Sequence, residues 1–378
     1  MKIVIAPDSY KGAMRAGQVA AAIAEGWRSI RQDDEIVLLP LSDGGEGLCE
    51  VLTNGSGGEF VRIETVDALM RQKSATVGIS GDTAVIESAE ANGIEHLAAT
   101  ELNPLRATTA GVGMLLKEVL TRYRCRKVII GIGGSATVDG GAGMLQALGV
   151  RFYDRCGRLL PFGIGGGDLI NIGRIELDGM LPEISEAEIS VACDVTNPLC
   201  GDNGSAAVFG PQKGALPDMV TSLDRNLAHF ASLLDDDGTC PGDGAAGGLG
   251  FALRKVVRAQ LCPGAALVMR ELKFAEVLKD ASLVITGEGC SDNQTVCGKL
   301  CSQVAETAGE YGVPVLLLSG ALQGDCKELE KLFAGIFSIA VRPSTLDEAI
   351  ASTGENLYRS AANFARFFTA CRNVSPIR

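Results

Sequence analysis

An α/β fold in two domains is predicted for this 378-residue chain by three observations. Short apolar runs alternate with helical patterns, the same alternation occurs at both ends of the chain, and 48 glycines gather in clusters where the runs end. Such alternation implies parallel strands covered by helices on both faces. A chain of this length is expected to form about two domains. Residues 1–66 with 281–378 are read as one discontinuous, Rossmann-like, doubly wound domain. Residues 67–280 are read as an inserted mixed α/β domain, with a ligand cleft between the two.

The first strand is "KIVIA", Lys2 to Ala6, apolar throughout as a strand buried on both faces should be. The turn "PDSYKG" follows, then a helix with Val19, Ile23, Trp27 and Ile30 on one face, then the strand "EIVLLP" and the loop "LSDGGEG". Late in the chain "SLVIT" runs into Gly287-Glu288-Gly289, read as a sharp turn at a strand end. "VPVLLLSG" and "IFSIAV" supply further strands. Thr345 and Glu348 have capping-box spacing for a last helix with an apolar stripe at Leu346, Ile350, Leu357, Ala361, Phe364 and Phe368. The middle region holds "SATVGIS", "TAVIESAEANG", "KVIIGIGGS" and "EISVACDV" as strands, and a helix with Leu223, Leu227, Phe230 and Leu234 on one face. "LLDDDGTCPGDG" reads as an exposed loop with a solvated aspartate run.

Composition excludes several classes. A net charge of −12 with dispersed basic residues argues against nucleic acid and anionic membrane as partners. No apolar run reaches the ~18 residues of a membrane span. The 12 cysteines lack paired metal-ligand spacing, as in a reduced cytoplasmic protein. Only His96 and His229 are present, which disfavours a histidine relay, and no G-x-x-x-x-G-K-[ST] occurs.

In an open parallel sheet ligands bind beyond the carboxyl ends of the strands where strand order reverses. "PDSYKG", "SDGGEG" and "TGEGCSDNQT" would be neighbours there, bringing Asp8, Ser9, Lys11, Asp43, Glu46, Glu288 and Asp292 together. So many carboxylates around one lysine repel one another unless a cation, or a polyphosphate with its metal, completes the site. The alternative for each alone is a turn or cap carboxylate. "GIGGSA", Gly131 to Ala136, fits G-x-G-x-x-A; its glycines allow backbone N–H groups to face phosphate, and the alternatives are a dinucleotide fingerprint or packing alone. Asp194 and Asn197 follow a strand in "ACDVTNPLCG", either aimed into a cleft or closing an Asx-turn before Pro198. Lys213 in "GPQKGA" has the setting of a solvated turn lysine.

"IAPDSYKG", "SDGGEG", "NPLRATTAGVG", "GIGGSATVDGGAGMLQALG", "ACDVTNPL", "AAVFGPQKGA", "AAGGLG" and "TGEGCSDNQTVCGK", in this order, resemble the bacterial glycerate kinase family across essentially the whole chain. The resemblance implies phosphorylation of D-glycerate by ATP with Mg²⁺, to 2-phosphoglycerate, in a two-domain α/β protein. Combined with residue type and loop placement, it implies that Gly133, Gly134 and Ser135, with Asp139 at the following helix start, hold ATP. Lys11 would neutralise charge at the reacting centre, with Asp194 as base and Asp292 the second candidate. Asp43 or Glu46 would help hold Mg²⁺, and Ser9, Gln294 and Lys299 would hold glycerate. The chain departs from the family pattern at Cys290, where arginine is usual, at Leu300 and Cys301, and at Ala110 and Val112. A thiol cannot replace the charge-assisted bonds of a guanidinium, each worth roughly 1.5–3 kcal/mol. The competing classes are a dinucleotide-dependent oxidoreductase, for which Asp154 in "YDRCGR" is the acid at suitable distance, and a hydroxy-acid sensor that has lost turnover.

Overall fold

The computed structural model describes residues 1–292, 299–324 and 327–373, with side chains as far as Cys371. The chain forms two compact units, Met1–Asp43 with Ala265–Arg378, and Gly44–Gly264. Each has its own α/β sheet.

In the first unit five strands lie in the order Gly335–Ser338, Val315–Leu322, Ala281–Ser291, Lys2–Ile5, Glu35–Leu38, and every pairing is parallel. Ile3, Val4 and Ile5 are fully buried, as the apolar run requires. The helix Ala16–Arg28 turns Val19, Ile23 and Trp27 into the same core, and Trp27 Nε1 donates to Asp34 Oδ2 at 3.0 Å. Gly26 lets the helix Thr353–Asn373 close in, since a Cβ there would lie 2.2 Å from the Tyr358 carbonyl oxygen. The expected last helix is two. Its capping box forms, with Glu348 N donating to Thr345 Oγ1 at 3.3 Å and Thr345 N to Glu348 Oε2 at 2.9 Å. Ser352 then ends the helix Leu346–Ala351, its hydroxyl donating to the Glu348 carbonyl at 2.6 Å. The apolar stripe divides accordingly, for Leu357 and Ala361 are fully buried while Leu346 is 75% exposed.

Gly287-Glu288-Gly289 is not a turn. The strand Ala281–Ser291 runs through it, paired with Val315–Leu322. Glycine is needed because another segment crosses here: a Cβ on Gly287 would lie 2.4 Å from the Leu318 oxygen and 2.7 Å from the Tyr10 hydroxyl.

The second unit has six strands in the order Gln260–Cys262, Glu188–Ala192, Lys127–Gly131, Thr83–Glu87, Gln72–Ser80, Glu59–Val66. The first four are parallel and the last two antiparallel, a mixed sheet. Its core includes Phe152, Phe230 and Phe251, with edge-on ring pairs 5.9 and 6.1 Å apart. The helix Pro217–Ser232 buries Leu223, Leu227 and Phe230 as its spacing predicts. The aspartate run is not uniformly solvated. Arg254 bonds Asp236 at 3.2 Å and the fully buried Asp243 at 2.6 Å, tying the loop to the helix Leu249–Lys255. Among the described residues no helix is long and apolar enough to cross a membrane.

Gly287→Ala is expected to lower stability by about 1–3 kcal/mol, the usual cost of forcing a methyl group into packed atoms, read as a lower urea midpoint. Gly309→Ala, on the helix Leu300–Glu310 with nothing near its Cβ position, should raise the midpoint instead. An unchanged midpoint for Gly287→Ala would mean that the crossing segment can step aside.

Candidate functional site

In the first unit the strand order reverses between Lys2–Ile5 and Ala281–Ser291: the chain proceeds outward to Glu35–Leu38 on one side and to Val315–Leu322 on the other. Loops beyond such a pair diverge and leave a crevice. Asp8 N donates to the Gly287 oxygen at 2.8 Å and Tyr10 Oη to the Leu318 oxygen at 2.8 Å, so the loop after the first strand is drawn across the neighbouring strand. Asp8 thereby comes into electrostatic reach of Glu288 and Asp43. Burial, then the Asp43 and Glu288 carboxylates, push the Asp8 carboxyl up to about 7 against the opposing pull of the Ser9 N–H, which donates to Asp8 Oδ1 at 2.6 Å. Ser291 Oγ donates to Glu288 Oε1 at 2.8 Å.

Asp8, Ser9, Lys11, Asp43, Glu288 and Cys290 line one side of a cavity of about 970 Å³. The Cys290 thiol is pushed up by burial and then by Asp292 and Glu288, so it remains uncharged. Lys299 Nζ pairs with Asp292 Oδ1 at 3.5 Å on the exposed surface. Gln294 lies outside the described residues.

In the second unit Gly133, Gly134 and Ser135 follow the strand Lys127–Gly131, but the next helix, Ala142–Ala147, begins only at residue 142. The long intervening loop is not the strand-turn-helix of a dinucleotide fingerprint. Gly134 has φ +71°, a left-handed conformation suited to glycine, and Ala136 N donates to the Asn92 oxygen at 2.8 Å.

Beneath this loop lies Lys213, 2% exposed, whose Nζ donates to Ser135 Oγ at 2.9 Å and to the Thr137 oxygen at 2.8 Å. Burial pushes the lysine down to about 7, with Asp139 pulling the other way. Asp139 is fully buried and accepts from Thr109 N at 2.8 Å, Thr109 Oγ1 at 2.7 Å, Gly141 N at 3.1 Å and Gly143 N at 3.2 Å. Burial pushes its carboxyl up, and the Thr109 and glycine donors oppose that. An acid expected at the nucleotide is therefore an internal brace of the loop. Lys213 was expected in a solvated turn and is instead buried. The available signal was its bracketing by Gly210 and Gly214, the latter at φ +89° and with a Cβ position 2.7 Å from the Leu102 oxygen.

Asp194 is exposed after the strand Glu188–Ala192 and accepts from Gly264 N at 2.9 Å, a contact within its own unit. Glu46 is exposed in the second unit, whereas Asp43 belongs to the first. Among the described residues no group of three or more histidine, cysteine or acidic side chains is arranged to hold a metal ion. That is compatible with Mg²⁺, which is commonly held by one or two carboxylates plus substrate phosphates rather than by a protein cage. Asp154, the acid that a dinucleotide enzyme would use, lies in the hairpin Arg151–Asp154 with Ile172–Glu176 and is bound by Arg158 at 2.7 Å.

The model of the glycerate kinase family matches residues 3–369. Glycerate 2-kinase of Escherichia coli K12 is 42% identical over 373 residues, covering 97% of this chain and 97% of that protein. Glycerate kinase of Bacillus subtilis 168 is 40% identical over 373 residues, again covering 97% of each. The crystal structure of a candidate glycerate kinase 2 from Salmonella typhimurium LT2 superposes with a TM-score of 0.90 at 41% identity, covering 99% of this chain and all of that one.

Lys213 offers a check on the buried network. Its value near 7 lies below its ordinary 10.5, so above about pH 7 the folded chain has released a proton that the unfolded chain keeps. The burial cost is full below about 7 and is relieved as pH rises toward about 10.5. Wild type should gain stability relative to Lys213→Met between about pH 7 and pH 10 in urea titrations. Parallel slopes would mean that the lysine stays protonated.

Proposed function

This chain belongs to the glycerate kinase family, and we propose that it transfers the terminal phosphoryl group of ATP to the 2-hydroxyl of D-glycerate. The observation that carries this reading is that Asp8, Asp43 and Glu288 line one cavity with Lys11; burial first, and then the two neighbouring carboxylates, push Asp8 up to about 7. Acids that line one cavity with Lys11 suit a divalent cation held chiefly by a polyphosphate and by one or two carboxylates. Phosphoryl transfer asks little covalent work of a protein; it needs alignment, positive charge on the transferred group and a base for the acceptor hydroxyl.

Mg²⁺ would be held by the ATP phosphates with Asp43, helped by Asp8 or Glu288, and would supply charge neutralisation at the phosphates. Lys11 adds positive charge at the same rim. The backbone of Gly133 and Gly134 and the hydroxyl of Ser135 receive phosphate oxygens, with Ser135 oriented by Lys213 and the loop braced by Asp139. Asp194 takes the proton of the glycerate hydroxyl as its oxygen bonds to the γ-phosphorus and the bond to the β-phosphate oxygen breaks, leaving ADP. Asp292 is the second candidate for that role. Ser9 and Lys299 hold the acid, with Gln294 assigned there on sequence grounds alone. Glu46, exposed, is the alternative to Asp43 at the metal.

ADP release on mixing the protein with ATP, Mg²⁺ and D-glycerate tests the reading; turnover of NADH with no ADP formed would overturn it. Asp194→Asn should lower kcat on the order of 10²–10⁴-fold, the usual worth of a positioned base, with the KM for ATP little changed. Turnover within a few-fold of wild type removes Asp194 from the role. Cys290→Arg, which places a guanidinium where an uncharged thiol stands, should raise kcat/KM for glycerate by on the order of ten- to a hundredfold; no gain would mean a site rebuilt around the thiol.

A further inference from the structure

We propose that the cavity of the first unit takes the adenosine half of the nucleotide, a placement that rests on the kinase reading and extends it to a named wall of the protein. The cavity measures about 970 Å³, at the upper end of the roughly 300–1,000 Å³ that enclose drug-sized ligands. A three-carbon acid would leave most of it to water.

The lining is not uniform. The residues before and after the first chain crossing supply Asp8, Lys11, Asp43 and Glu288; the segment that follows the strand Gly335–Ser338 supplies the apolar Val341, Leu346, Ala349 and Ile350 together with charged side chains, Arg342, Glu348 and Arg359 among them. Val341 is 55% and Leu346 75% exposed, large apolar side chains left uncovered at a concave wall. Glycerate has no apolar face to cover them. A purine has, and burying apolar area on both partners is the main gain such a contact offers. The arrangement also orders the nucleotide along the cavity: base and ribose lie against Val341 and Leu346, and the phosphates run toward Lys11 and the acids that would carry the metal.

Leu346 suits a test because it lies at the first position of the short helix capped by Thr345, where glutamate is tolerated, and it buries little of itself. Leu346→Glu is expected to raise the KM for ATP, and the calorimetric Kd for ADP with Mg²⁺, by about tenfold or more, since it replaces an apolar contact with a carboxylate that must lose water. The KM for D-glycerate should stay within about twofold and the urea midpoint should not move. Val341→Glu should behave alike. A rise in the KM for glycerate with that for ATP unchanged would overturn the proposal, as would two variants that bind ADP like wild type. The kinase reading fails separately: a wild-type protein that forms no ADP from ATP and any hydroxy acid sinks that reading, while calorimetry of ADP on the wild type and on Leu346→Glu still decides the occupant of the cavity.

Discussion

The first unit depends on one crossing. Tyr10 leaves the end of the strand Lys2–Ile5, passes over the strand Ala281–Ser291 and donates to the Leu318 oxygen on the strand beyond. Gly287 is the point of closest approach, and any side chain there would collide with both the tyrosine hydroxyl and the Leu318 carbonyl. The crossing joins three strands through one buried hydrogen bond, worth about 0.5–1.5 kcal/mol net. It also fixes the chemistry, because the residues on either side of Tyr10 are carried to the rim where Glu288 stands. Asp8 is held near 7 by this geometry and not by anything in its own sequence neighbourhood beyond the opposing Ser9 N–H.

Much of the fold was legible because parallel sheets announce themselves. Ile3 to Ile5 and Val128 to Ile130 are apolar on both faces and buried on both faces, and Ile189 to Val191 is buried on both faces with Ser190 between the two apolar residues. The glycine clusters were legible as places of close approach, but their partners were not. Gly287 reads equally well as a turn or as a crossing point, since glycine reports only that a Cβ does not fit and Tyr10 is far away in the chain. The break at Ser352 was hidden for a related reason: the apolar stripe continues in phase across it, and only the serine hydroxyl bonding back to Glu348 shows where the helix stops.

The candidate site was legible by residue type more than by role. Asp8, Ser9, Lys11, Asp43 and Glu288 were grouped from the rule about strand ends, and they line one cavity. Lys213 and Asp139 are both buried, which their local sequence patterns do not foretell. A lysine between glycines and proline has the profile of a surface turn, and an aspartate beside a glycine-rich helix start has the profile of a phosphate-loop residue. Their burial depends on contacts more than seventy residues apart in one case and thirty in the other, which local pattern does not encode.

Asp139 and Lys213 bear on why such groups are kept. Two buried ionisable side chains of opposite sign rarely stabilise a protein beyond what apolar residues of similar size would give. The pair here holds the positions of Ser135, Thr137, Thr109 and two glycine N–H groups through bonds that apolar side chains cannot make. Donors already held in place need no reorganisation when charge develops beside them, so bracing of this kind fits the phosphate-binding role proposed for the loop. The first unit shows the complementary device. There Asp8 is raised by burial first and then by the Asp43 and Glu288 carboxylates in its reach. The two units thus use buried charge differently: in the second, Lys213 and Asp139 are engaged in internal hydrogen bonds that hold a loop, whereas in the first the acids line a cavity open to a ligand.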